Sequence, residues 1–181
     1  MADLKRIFFA LSFKRKPKVY IETGTYNGDN LTKRIDSYNL LYSIEINLEL
    51  YASNIQKFAA QKKVKLLNGD SGETLPLILN DVAQSCVIFL DAHYSGKKFG
   101  SKIPSMPLLQ ELESISKFKF DSITIIDDTR LLGKKQLEGL LDDPLYPLFM
   151  ADWSGVTEKH VLQKISKEVT VFKNNYGSFT T

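Results

Sequence analysis

Acidic residues stand where the apolar runs of this sequence stop. Glu22 follows Val19-Tyr20-Ile21, Glu45 follows Leu40-Leu41-Tyr42-Ser43-Ile44, Asp70 lies just past Val64-Lys65-Leu66-Leu67, Asp91 follows Cys86-Val87-Ile88-Phe89-Leu90, and Asp127-Asp128 follows Ile123-Thr124-Ile125-Ile126. In an open α/β sheet, ligands bind beyond the carboxyl ends of the strands. One carboxylate at such a place only solvates a rim, whereas a recurrence at all five points to a shared polar ligand or cation. His93, two residues past Asp91, carries an imidazole poised to take a proton near neutral pH. Plainer alternatives stand beside these: helix capping and loop solvation for Asp91, Asp127 and Asp128, and an ordinary hydrogen-bonding role for His93.

The segment Glu22-Thr23-Gly24-Thr25-Tyr26-Asn27-Gly28-Asp29-Asn30 spaces two glycines as Gly-x-x-x-Gly. Glycines there let the backbone approach a ligand closely, and an ordinary glycine turn is the competing reading. Glu45 falls roughly twenty residues beyond that loop, where an acid at the end of a second strand can accept from both ribose hydroxyls. Nicotinamide-dependent enzymes share this spacing. Their fingerprint requires further glycines where this chain has Tyr26 and Asp29, so an NAD-dependent, nucleotide-sugar-type enzyme is the weaker alternative. A catalytically silent domain that keeps the fold for binding is a second one.

Positioning these residues requires alternating elements. Residues 18–23 read as a strand stopped by Gly24, and 29–36 as a helix. Residues 40–44 read as a second strand, followed by Leu48, Tyr51, Ile55 and Phe58 at helical spacing. Residues 64–67 read as a third strand, and Leu75, Ile78, Leu79 and Val82 form one helical stripe. Residues 86–90 and 123–126 supply a fourth and fifth strand around a helix marked by Leu108, Leu112 and Ile115. Such alternation builds a doubly wound parallel sheet with helices on both faces. Residues 168–173 and 176–180, split by Asn174-Asn175, predict a closing antiparallel hairpin.

The length of 181 residues suits one α/β domain. The chain divides into a basic amphipathic helix over 1–17, with Phe8, Phe9 and Phe13 as its packing face, and one domain over 18–181. A signal peptide is rejected, because Lys14, Arg15 and Lys16 stand where a cleavage site belongs. No run is long enough to span a bilayer. The 24 Lys and Arg against 21 Asp and Glu leave +3, too little to imply a nucleic-acid partner. Cys86 sits in an apolar run as a small hydrophobe, which fits a reducing cytoplasm. Arg130 pairs with the acidic residues or binds an anion, and Trp153 and His160 read as structural.

Together, the loop from Glu22 to Tyr26, Gly69-Asp70-Ser71, Asp91-Ala92-His93-Tyr94-Ser95-Gly96 and Ile126-Asp127-Asp128-Thr129-Arg130 resemble the motifs of class I S-adenosylmethionine-dependent methyltransferases, in a bacterial subgroup without settled function. The resemblance covers about residues 20–130. It implies a Rossmann-like, mainly parallel sheet with S-adenosylmethionine held by Glu22, Gly24, Tyr26, Gly28, Glu45, Asp70, Ser71 and Asp91. Glu22 would face the cationic methionine portion, and Asp70 or Ser71 the adenine. Likeness extends to the macrocin and catechol types of O-methyltransferase. That implies magnesium held by Asp91, Asp127 and Asp128, with Asp91 and His93 catalytic. Three such carboxylates repel one another unless a hard cation neutralises them. The expected acceptor is a hydroxyl of a saccharide or other small polar molecule, recognised through residues 94–107 and 131–155, with room for a homodimer.

Overall fold

In the computed structural model, residues 17–92, 106–138, 149–164, 172–173 and 179–180 are described. The expected amphipathic helix, His93, most of the 94–107 loop and the Asn174-Asn175 turn lie outside the described residues.

Elements alternate as expected: β1 (Val19–Thr23), α1 (Asp29–Arg34), β2 (Leu40–Glu45), α2 (Leu48–Lys57), β3 (Val64–Asn68), α3 (Ser71–Asp81), β4 (Cys86–Leu90), α4 (Leu108–Ser116) and β5 (Ser122–Ile126). They are followed by β6 (Lys135–Glu138), β7 (Phe149–Asp152), α5 (Glu158–Lys164), β8 (Phe172–Lys173) and β9 (Phe179–Thr180). The main sheet runs β3-β2-β1-β4-β5-β9-β8. Pairs among β1 to β5 are all parallel, and β9 lies antiparallel to both β5 and β8.

β1 and β4 sit at the centre and are buried along their whole length, which is why they read as nearly unbroken apolar runs. Alternate side chains feed two cores. Val19, Ile21, Ile44, Cys86 and Ile88 meet Leu75, Ile78 and Leu79 of α3 and Leu108 and Leu112 of α4. Tyr20, Leu41, Val87, Phe89, Ile123 and Ile125 meet Leu31 of α1 and Phe58 at the end of α2. The sheet is thus covered from both sides, and the α3 stripe packs as its spacing predicted.

The strand order turns at β1. Winding runs outward through β2 and β3, then returns to place β4 on the other side of β1. That reversal opens a crevice beyond the carboxyl ends of β1 and β4, where the topology cannot close over a ligand. Among the described residues no helix is long and apolar enough to cross a membrane.

α2 departs from expectation. Leu48 and Ile55, expected to face the core, are 67% and 44% exposed, and the buried helical residue is Asn54. β6 and β7 form a separate antiparallel pair that no alternation predicted. Leu137 is exposed there, and Ala151 of β7 and neighbouring Trp153 join the core.

Candidate functional site

The glycine loop lies at the β1–β4 crevice. Gly24 has φ 78°, and a β-carbon there would come within 2.5 Å of the Asp91 carbonyl oxygen and 3.3 Å of the Ala92 Cα. The loop and the β4 exit are therefore in backbone contact, tied further by the Asp91 N–H donating to Thr23 Oγ1 at 3.2 Å. Gly28 has φ 73° and abuts Asn54 and the Phe58 ring of α2. Between them Tyr26 also takes a left-handed conformation, φ 49°, with its side chain 39% exposed. Three left-handed residues in five make a tight, nearly closed turn.

The N–H groups of this loop are turned inward. Gly24 and Thr25 both donate to the Ile44 carbonyl at 2.9 and 3.2 Å, and Gly28 donates to Thr25 at 2.9 Å. Tyr26 donates to Glu45 Oε2 at 2.8 Å. A loop that cradles a pyrophosphate must offer such donors to the ligand. Here they are spent on β2 and within the loop itself.

Glu45 is buried at the end of β2, and its Oε1 accepts from the Asn47 N–H at 2.8 Å. Burial pushes its carboxyl up, opposed by the backbone donors of Asn47, Tyr26 and Ile46. Its carbonyl accepts from Gly69 N–H and Asn68 Nδ2, drawing the β3 exit alongside. Asp70 next caps α3, Oδ1 accepting from the Gly72 N–H at 2.8 Å. Ser71, buried in the first turn, keeps an Oγ with no hydrogen-bond partner. The structure thus brings Gly24, Tyr26, Gly28, Glu45, Asp70 and Ser71 to the ends of three adjacent strands.

Glu22 behaves differently from its expected role at the methionine end of the donor. It is fully buried on the α1 side of the sheet, accepting from Tyr20 OH at 3.0 Å and Ser43 Oγ at 2.9 Å. Burial pushes its carboxyl up to about 7, against the pull of those hydrogen bonds and of Arg34. Arg34 stacks over the Tyr20 and Phe89 rings. Ser43 in turn meets Thr25 Oγ1 at 2.6 Å. A hydrogen-bond chain therefore runs from Glu22 through Ser43 to Thr25 of the loop.

A shallow concavity, open to solvent, lies beyond β4 and β5. Asp91, Asp127 and Glu111 line it with Leu90, Ile126 and Trp153. Glu111, on the core-facing side of α4, went unnoticed in the sequence because it sits between the apolar positions 108 and 112 that mark that helix. Trp153, read as structural, is buried and also walls the cavity. His160 does serve its helix, Nδ1 lying 3.3 Å from the Thr157 N–H and 3.1 Å from the Gly155 carbonyl.

The expected magnesium ligands are not gathered. Among the described residues no group of three His, Cys, Asp or Glu side chains is placed to hold a metal ion. Asp128, at φ 50°, directs its carboxylate to Arg130 at 3.0 Å, and Asp127 Oδ1 accepts the Asp128 N–H at 2.9 Å. Of the two carboxylates that adjacency in sequence suggested would act together, one is thus paired with Arg130 and the other accepts a backbone N–H.

No family model and no curated protein matches the chain. Solved structures do. DesVI from Streptomyces venezuelae superposes with a TM-score of 0.59 at 9% identity, over 99% of this chain and 89% of that one. The glycopeptide N-methyltransferase MtfA, in complex with (S)-adenosyl-L-methionine, gives 0.55 at 9%, over 97% and 90%. An S-adenosylmethionine-dependent methyltransferase from Clostridium acetobutylicum gives 0.50 at 13%, over 98% and 86%. The fold is that of the class I methyltransferases. At such identities the likeness is one of fold, and within this methyltransferase fold the glycine loop, Glu45 and Asp70 occupy the strand ends beside the switch point.

Proposed function

We propose that the protein transfers a methyl group from S-adenosylmethionine to a small polar acceptor, with the donor along the ends of β1 to β3 and the acceptor in the cavity beyond β4 and β5. One observation carries the reading: the N–H groups of Gly24, Thr25, Tyr26 and Gly28 are all consumed within the loop or by β2. A loop so built offers none of these four N–H groups to a pyrophosphate, yet keeps a buried acid beside it for ribose hydroxyls. It suits a nucleoside without phosphates and disfavours NAD.

Donor residues divide the work. Glu45 holds the loop closed and retains lone pairs for the ribose, since each carboxylate oxygen accepts more than one hydrogen bond. Asp70 and Ser71 stand at the adenine end. Bound S-adenosylmethionine supplies an electrophilic methyl group on a sulfonium, which leaves as a neutral thioether when an acceptor oxygen takes the methyl. Asp91, in backbone contact with Gly24 and lining the cavity, links donor and acceptor sites. Its carboxylate orients an acceptor hydroxyl toward the donor, and the released proton goes to His93 two residues on. The carboxylates of Asp91 and Asp127 beside this concavity suit a saccharide hydroxyl.

Titration calorimetry with S-adenosylhomocysteine and NAD tests the reading. Micromolar binding of the first, lost in Glu45→Ala, is expected; binding of NAD alone would replace it with the dinucleotide reading.

A further inference from the structure

We infer that Asn54 is a positioning residue for donor binding, holding Tyr26 in the left-handed conformation that shapes the donor loop; the inference rests on the donor site proposed above. Tyr26 adopts φ 49° although it carries a β-carbon, a conformation that costs about 1–2 kcal/mol for a residue other than glycine. Such a residue persists when its surroundings over-determine it. Both sides of Tyr26 are held by side chains from other elements. Its N–H donates to Glu45 Oε2 at 2.8 Å, and its carbonyl accepts from Asn54 Nδ2 at 2.6 Å.

The Asn54 amide is itself fixed. Its second hydrogen goes to the Leu50 carbonyl at 2.8 Å, one turn back along α2. Its Oδ1 is buried with no hydrogen-bond partner among the described residues, and such an orphaned acceptor costs about 1–3 kcal/mol. An apolar side chain of that size would avoid the penalty, so what the position needs is the donor. α2 turns this polar residue inward while Leu48 and Ile55 remain in solvent, an orientation that opposes the apolar effect. The same helix holds the next two loop residues: Lys57 Nζ donates to the Asn27 carbonyl at 2.6 Å, and Gly28 packs so closely on Asn54 and Phe58 that a β-carbon would lie 2.4 Å from Asn54 Oδ1.

The experiment compares wild type, Asn54→Ala, Tyr26→Gly and the double variant, by S-adenosylhomocysteine calorimetry and by the rate of chymotryptic cleavage after Tyr26 without ligand. Asn54→Ala is expected to weaken binding at least tenfold in the wild-type background and less than twofold on Tyr26→Gly, because glycine takes a left-handed conformation without a clamp. Cleavage after Tyr26 should be about tenfold faster in Asn54→Ala, once local opening is no longer resisted. An equal loss of binding in both backgrounds, or unchanged cleavage, overturns the inference. If wild type binds no S-adenosylhomocysteine, the proposed function fails and the cleavage rates alone decide whether Asn54 holds Tyr26. Asn54→Leu, similar in size and without a donor, repeats the comparison should the alanine variant not fold.

Discussion

The Tyr26 N–H donates to Glu45 Oε2 at 2.8 Å, across nineteen positions of sequence, and thereby fastens the loop after β1 to the end of β2. The residue expected to read the ribose is also the one that closes the turn around it. Glu45→Gln keeps the shape of the side chain but replaces one carboxylate oxygen with an amide NH2 donor, so the Tyr26 and Asn47 N–H groups can no longer both be accepted. A loss of about 2 kcal/mol is expected for a charge-assisted pair. Affinity for S-adenosylhomocysteine should fall by more than tenfold in calorimetry, with a drop of several degrees in melting temperature; unchanged affinity would remove Glu45 from the donor site.

Glu22 gives the stability a pH dependence of definite sign. Burial raises its carboxyl from 4.5 to about 7 in the folded protein. Between those values the folded chain holds a proton that the unfolded chain releases, so stability falls as pH rises through about 7. The gap corresponds to ~3 kcal/mol. Glu22→Gln is permanently neutral, and its hydroxyl partners on Tyr20 and Ser43 can reverse their hydrogen bonds toward an amide. Thermal denaturation should show the variant more stable than wild type by about 5–10 °C at pH 8, with the difference vanishing near pH 5. Parallel pH profiles would mean that Glu22 is ionised in the fold.

Gly24 separates backbone requirement from mere space. A β-carbon there meets the Asp91 carbonyl oxygen at 2.5 Å, and φ is 78°. Gly24→Ala therefore combines left-handed strain with a clash against backbone, about 3 kcal/mol together. Gly155 has nothing within 4 Å of the same position. Gly24→Ala should lower the melting temperature by roughly 10 °C and Gly155→Ala by less than about 1 °C; similar melting temperatures would show the β1–β4 junction to be pliable.

What the sequence made legible follows from which patterns are local. The five parallel strands announced themselves because buried central strands such as β1 and β4 are continuous apolar runs ended by an acid. Glu45 and the glycines were found by spacing from a turn. Asn54 was not, because in the pattern of Leu48, Tyr51, Ile55 and Phe58 only Phe58 is buried among these four while Leu48 and Ile55 lie in solvent, and no periodicity reveals a helix oriented by a polar contact. Glu22 was visible as an acid but not as a buried one, since the residues that enclose it, Ser43 and Arg34, come from other elements. Adjacent Asp127 and Asp128 suggested joint action, whereas the structure pairs the second carboxylate with Arg130 and gives the first a backbone N–H.

That last pairing makes a prediction about magnesium. An ion held by the native protein at a concentration a hundred times its dissociation constant would add about 2.7 kcal/mol of stability, which is more than 5 °C in a chain of this size. With Asp128 paired to Arg130 and Asp127 accepting the next N–H, 10 mM magnesium should move the melting temperature by less than about 1 °C. Asp128→Asn should cost no more than about 1 kcal/mol, the usual worth of a partly exposed ion pair. A magnesium-induced rise of several degrees, abolished by Asp127→Asn, would instead place the metal with the strand-end carboxylates after all.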